Sequence, residues 1–113
     1  MFYSITQSYA EYTAPSSAIV DHLKEQDIAI IKYEARWCEV CKEIEPILTQ
    51  FSDLHPDVPM LKIDIDEIPH MKHWAKIKAI PIVIMYRNGK MREFLYGVNS
   101  LEKYEQKLQR TMK

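Results

Sequence analysis

Glycine is nearly absent from this chain, with two in 113 residues, Gly89 and Gly97. So little glycine excludes a flexible low-complexity linker and gives both positions structural meaning. Cysteine is equally scarce, at two, which is too few for a disulfide scaffold in a domain of this length. Neither sign of charge dominates. Fifteen Lys and Arg stand against sixteen Asp and Glu, for a net charge of -1, so no global field recommends nucleic acid or an anionic membrane as partner. No apolar run approaches the ~20 residues of a membrane span. The start, Met1-Phe2-Tyr3-Ser4-Ile5-Thr6-Gln7, carries neither a basic leader nor an apolar stretch, so a cytoplasmic setting is expected. What the chain has is 47% apolar residues. That is enough for one sizeable core, and residues 1–113 are expected to form a single domain and a monomer.

The patterning is that of an α/β layer. Phe2-Tyr3-Ser4-Ile5 alternates as an opening strand can, and Pro15-Ser16-Ser17 precedes a helical face of Ile19, Val20 and Leu23. Ile28-Ala29-Ile30-Ile31-Lys32-Tyr33 is apolar on both faces apart from Lys32, as a central strand covered on both sides should be. Val40, Ile44, Ile47, Leu48, Phe51 and Leu54 then recur with helical period, and Pro46 within them is expected to kink the helix without ending it. Val58–Asp64 predicts a third strand, and Pro69 starts a helix carrying Met71, Trp74 and Ile77. The run from Ile80 to Tyr86 is β-rich and closes on Asn88-Gly89, a strong hairpin signal, with Lys90–Tyr96 as the edge-side partner. Ser100 caps a last helix through Leu101, Tyr104 and Leu108. The predicted order is β-α-β-α-β-α-β-β-α, a mixed sheet flanked by helices and ending in a hairpin.

Both cysteines fall in Trp37-Cys38-Glu39-Val40-Cys41-Lys42, directly after the central strand. A strand-to-helix junction offers the unpaired N–H groups of a first helical turn, which stabilise a thiolate. Positions i and i+3 lie close enough to form a disulfide, and the first is the more accessible. Cys38 is therefore the candidate nucleophile and Cys41 the candidate resolving cysteine. The same spacing also serves zinc, and His70 and His73 supply a His-x-x-His, at a separation from the cysteines longer than a finger uses. His22 and His55 are expected on the solvated surface.

The whole chain resembles a thioredoxin. The likeness is carried by the Trp-Cys-x-x-Cys-Lys motif after the second strand, Pro46 in the next helix, Asp64-Ile65-Asp66-Glu67-x-Pro69, Ile80-Pro81 before a strand, Asn88-Gly89, and Gly97 before the last helix. The resemblance implies a thioredoxin fold and a thiol–disulfide oxidoreductase that reduces protein disulfides without a bound cofactor. Electrons would come from a thioredoxin reductase or a small thiol. It further implies that Pro81 is cis, that Ile80 offers main-chain hydrogen bonds to an extended substrate, that Trp37 flanks the nucleophile, and that Gly97 keeps the groove open. Val98 and Ile82 would border that groove.

Two departures from the family pattern bear on tuning. Glu39-Val40 replaces the usual Gly-Pro, returning an N–H at residue 40 but placing a carboxylate beside Cys38. Six residues before Cys38, where the family usually has a buried carboxylate, this chain has Lys32. A charged Lys32 would favour a Cys41 thiolate, and a neutral one could serve as base. Strand alternation puts Glu34 on the same side as Lys32, where it can either pair with Lys32 or replace the missing carboxylate. These departures also keep open a second class of function, a docking or assembly subunit that needs no redox turnover.

Overall fold

The run Ile28–Glu34 forms the central strand of the sheet, and its burial explains why it is apolar on both sides: every residue but Glu34 is buried. The computed structural model describes residues 10–11, 23–66 and 79–113. Within them lie strands β1 (Ala10–Glu11), β2 (Ile28–Glu34), β3 (Met60–Asp64), β4 (Ile82–Arg87) and β5 (Lys90–Tyr96), and helices α1 (Glu39–Glu43), α2 (Glu45–Leu54) and α3 (Leu101–Met112). The sheet order is β1-β3-β2-β4-β5. β2 runs parallel to β3 and antiparallel to β4, so the sheet is mixed as expected.

Alternation along β2 divides the core between the two faces of the sheet. Ala29, Ile31 and Tyr33 join Leu61, Ile63, Ile82, Ile84 and both cysteines on one side. Ile28 and Ile30 join Ile44, Leu48 and Phe51 of the α1–α2 segment and Tyr104 and Leu108 of α3 on the other. Each fully buried Ile, Leu or Phe contributes about 1.5–3 kcal/mol of burial. Lys32 shares the even-numbered face with Ile28 and Ile30, which directs it under the helices.

The β4–β5 hairpin closes on Asn88 (φ 52) and Gly89 (φ 82) between the paired Arg87 and Lys90. Two successive positive φ values are those of the type I′ turn that Asn-Gly favours. Ser100 caps α3, its Oγ accepting from the Lys103 N–H at 3.1 Å.

Four expectations need correction or placement. Pro46 does not merely kink one helix: α1 ends at Glu43, Ile44 is a turn, and Pro46 sits in the first turn of α2. Having no N–H, Pro46 cannot bond the carbonyl of Lys42, which accepts instead from the Ile44 N–H. β1 lies at Ala10–Glu11, paired with Leu61 and Lys62, where no strand was expected. His55 is half-buried, 2.8 Å from Glu105 and edge-on to Phe51. It bridges α2 to α3 instead of standing in solvent. The strand expected at Phe2–Ile5, the helix from Pro69 and all of the first helix except its end near Leu23 lie outside the described residues, as do His22, His70 and His73.

Candidate active site

β2 delivers its chain to a turn in which the Cys38 N–H donates to Ala35 O at 3.1 Å. Cys38 is thereby set as the N-cap of α1, with extended backbone (φ -90, ψ 109), and its Sγ accepts the Cys41 N–H at 3.1 Å. This is the first-turn donor expected at a helix start. Cys38 and Cys41 are joined in a disulfide, with Cα atoms 5.3 Å apart. Cys38 is 7% exposed and Cys41 1%, so the first is the one nearer solvent.

The neighbours separate into a rim and a platform. Trp37 is exposed, and its indole N–H donates to Asp66 Oδ2 at 2.7 Å. Asp66 is itself turned by its N–H donating to Asp64 Oδ1 at 2.8 Å. Glu39 leans outward to Lys42, 3.3 Å away. The Ile80-Pro81 peptide is cis, as the resemblance implied. Ile80 packs on the apolar cluster that contains both cysteines, and Pro81 O accepts the Gly97 N–H at 3.0 Å, tying the last loop to the proline. Gly97 has φ +69 and open space where a Cβ would stand. Val98 is exposed beside it, but Ile82 does not border a groove: it is wholly buried in the core, because β4 is an inner strand covered on both faces.

Behind the disulfide lies a group of charges. Lys32 is 1% exposed. Its Nζ donates to the Cys41 carbonyl and pairs with Glu34 Oε1 at 2.7 Å, one of the two arrangements that alternation allows, and also with Glu45 Oε2. The other oxygen of Glu45 meets Lys62 Nζ at 3.3 Å. A buried ammonium costs several kcal/mol unless paired, and this one has two carboxylates and a carbonyl. A cavity of about 350 Å³ opens beside them, lined by Lys32, Glu34, Arg36, Cys41, Glu45 and Lys62 among others.

Glu45 and Lys62 escaped the reading of the sequence. Glu45 stands four residues after Cys41, but the break at Ile44 puts the two on separate helices. Lys62 meets Lys32 only through the β2–β3 register, where Glu45 stands between the two like charges.

A disulfide between i and i+3 at the head of a helix, on a mixed sheet beside a cis-proline loop, defines the class: a dithiol–disulfide oxidoreductase. Residues 12–110 match the family model Thioredoxin. Thioredoxin-1 of Schizosaccharomyces pombe is 31% identical over 75 residues, 66% of this chain and 73% of the relative. Thioredoxin-2 of Pyricularia oryzae is 28% identical over 79 residues, 70% of this chain, and the match spans 46% of that longer relative. The crystal structure of oxidised mitochondrial thioredoxin 3 from Saccharomyces cerevisiae superposes with TM-score 0.80 at 26% identity, covering 95% of this chain and 98% of that one. The chain belongs to the thioredoxin family.

Proposed function

We propose that this chain, acting as one domain, reduces protein disulfides, with Cys38 as nucleophile and Cys41 as resolving cysteine. The observation that carries the reading is the Cys38–Cys41 disulfide, with Cys38 Sγ at the helix N-cap accepting the Cys41 N–H. In the reduced form that N–H and the other free donors of the first turn favour a thiolate at Cys38. The thiolate attacks a substrate disulfide, forming a mixed disulfide and expelling one substrate thiolate. Cys41 then attacks Cys38 Sγ, releasing the second. Ile80 and Pro81 hold the substrate main chain, Trp37 flanks it, and Gly97 leaves room for it. Lys32 tunes the charge behind Cys41. Electrons return from a thioredoxin reductase or a small thiol, and the setting is cytoplasmic, the protein a monomer. In support, the chain has just the two cysteines of this motif, as suits a reducing compartment.

Reduction of a protein disulfide with dithiothreitol as electron source tests the reading. Catalysis is expected from the parent and lost in Cys38→Ser. Turnover that survives Cys38→Ser would overturn it.

A further inference from the structure

We propose that Glu45 is the group that accepts the Cys41 proton in the resolving step, with Lys32 as its positioning residue; this rests on Cys41 being the resolving cysteine. Glu45 opens α2 directly after the Ile44 turn that ends α1, which places its carboxylate at the junction next to the short helix that holds Cys41. Lys32 Nζ completes the link, since the same ammonium binds the Cys41 carbonyl and Glu45 Oε2. Cys41 and Glu45 line the same cavity, and the Glu45 side chain is 30% exposed, giving the proton a route to solvent. The other charges facing this space are Glu34 on β2, Arg36 in the following turn, Lys42 on α1 and Lys62 on β3. Glu34 is the rival acceptor, but it starts from the sheet and pairs with Lys32, whereas Glu45 opens the helix that directly follows the one carrying Cys41.

In the mixed disulfide the Cys41 thiol gives its proton to the Glu45 carboxylate. The Cys41 sulfur forms a bond to Cys38 Sγ, and the bond from Cys38 to the substrate breaks, with its electron pair leaving on the substrate sulfur. That thiolate takes up the proton from Glu45. The protein dithiol is oxidised and the substrate disulfide reduced, with no further reactant.

The test isolates resolution. Reduced protein is mixed with the thionitrobenzoate disulfide, and release of the first and second thionitrobenzoate is followed against pH in the parent, Glu45→Gln, Glu34→Gln and the exposed control Glu43→Gln. In Glu45→Gln the first release is expected unchanged and the second slowed about tenfold near neutral pH, with its pH profile moved to higher pH. Glu34→Gln should be slowed less, and Glu43→Gln not at all. Glu45→Asp, which keeps the carboxylate, should recover part of the rate and covers the case in which the amide variant does not fold. A second release in Glu45→Gln with parental rate and pH profile would overturn the proposal, as would a greater slowing in Glu34→Gln. Failure of the parent itself to give a second release would instead overturn the assignment of Cys41.

Discussion

At residue scale the unusual choice is Lys32, a fully buried ammonium in the central strand. It persists because three acceptors converge on it from the strand, the turn of α1 and the start of α2: Glu34, the Cys41 carbonyl and Glu45. Deleting one member of such a set leaves the others desolvated without compensation, which costs more than the set itself contributes. Lys32→Met, close in volume, is expected to lower stability by about 3 kcal/mol, read as a reduced urea midpoint. Adding Glu34→Gln and Glu45→Gln to Lys32→Met should return most of that loss, since the stranded charges are then gone. A triple variant no more stable than the single one would show that packing, not charge, sets the cost.

At the scale of elements, α3 shows how local chemistry sets a boundary. Ser100 Oγ supplies the acceptor for the Lys103 N–H, and the exposed cap has no other role in the core. Ser100→Ala should therefore cost about 1 kcal/mol, visible in thermal or urea unfolding with activity unchanged. The signals legible in the sequence were of this local kind: the Ser100 cap, the Asn88-Gly89 turn, the apolar β2 run and the Cys38–Cys41 spacing each carry their cause within a few residues. Two-residue β1 is too short to show any period. The break at Ile44 was hidden because apolar residues continue in phase across it, while Pro46 removes the hydrogen bond that would have kept one helix. His55 and Glu105 are 50 residues apart, and Glu45, Lys62 and Lys32 meet only once β2, β3 and the helices pack. The dithiol was thus readable and the charged group behind it was not, apart from the shared side of Lys32 and Glu34 that strand alternation gives.

Across the whole molecule, the sheet carries two apolar faces, and the face holding the cysteines contains a buried polar link. The hydroxyls of Tyr33 and Tyr86 share a hydrogen bond of 2.7 Å across β2 and β4. Burial pushes Tyr33 well above its ordinary value of 10.0, against a smaller opposing effect of the bond to Tyr86. Burial likewise raises Tyr86, with the charge of an ionised Tyr33 and their hydrogen bond adding to it. Tyr104, on the opposite face, is raised by burial as well. In the unfolded chain these phenols lose their protons near pH 10, while the native state retains them. Above that pH the native state binds more protons than the unfolded one, so stability falls as pH rises, by up to about 1.4 kcal/mol per pH unit for each such tyrosine. Below about pH 9 both states are protonated and these groups add no pH dependence. The urea midpoint is expected to be lower at about pH 11 than at about pH 8, and Tyr86→Phe, although less stable at the lower pH through loss of the buried bond, should show a shallower decline. Equal midpoints for the parent at the two pH values would mean that the buried hydroxyls ionise in place, and the Tyr33–Tyr86 link would not be the closed interior pair its geometry describes.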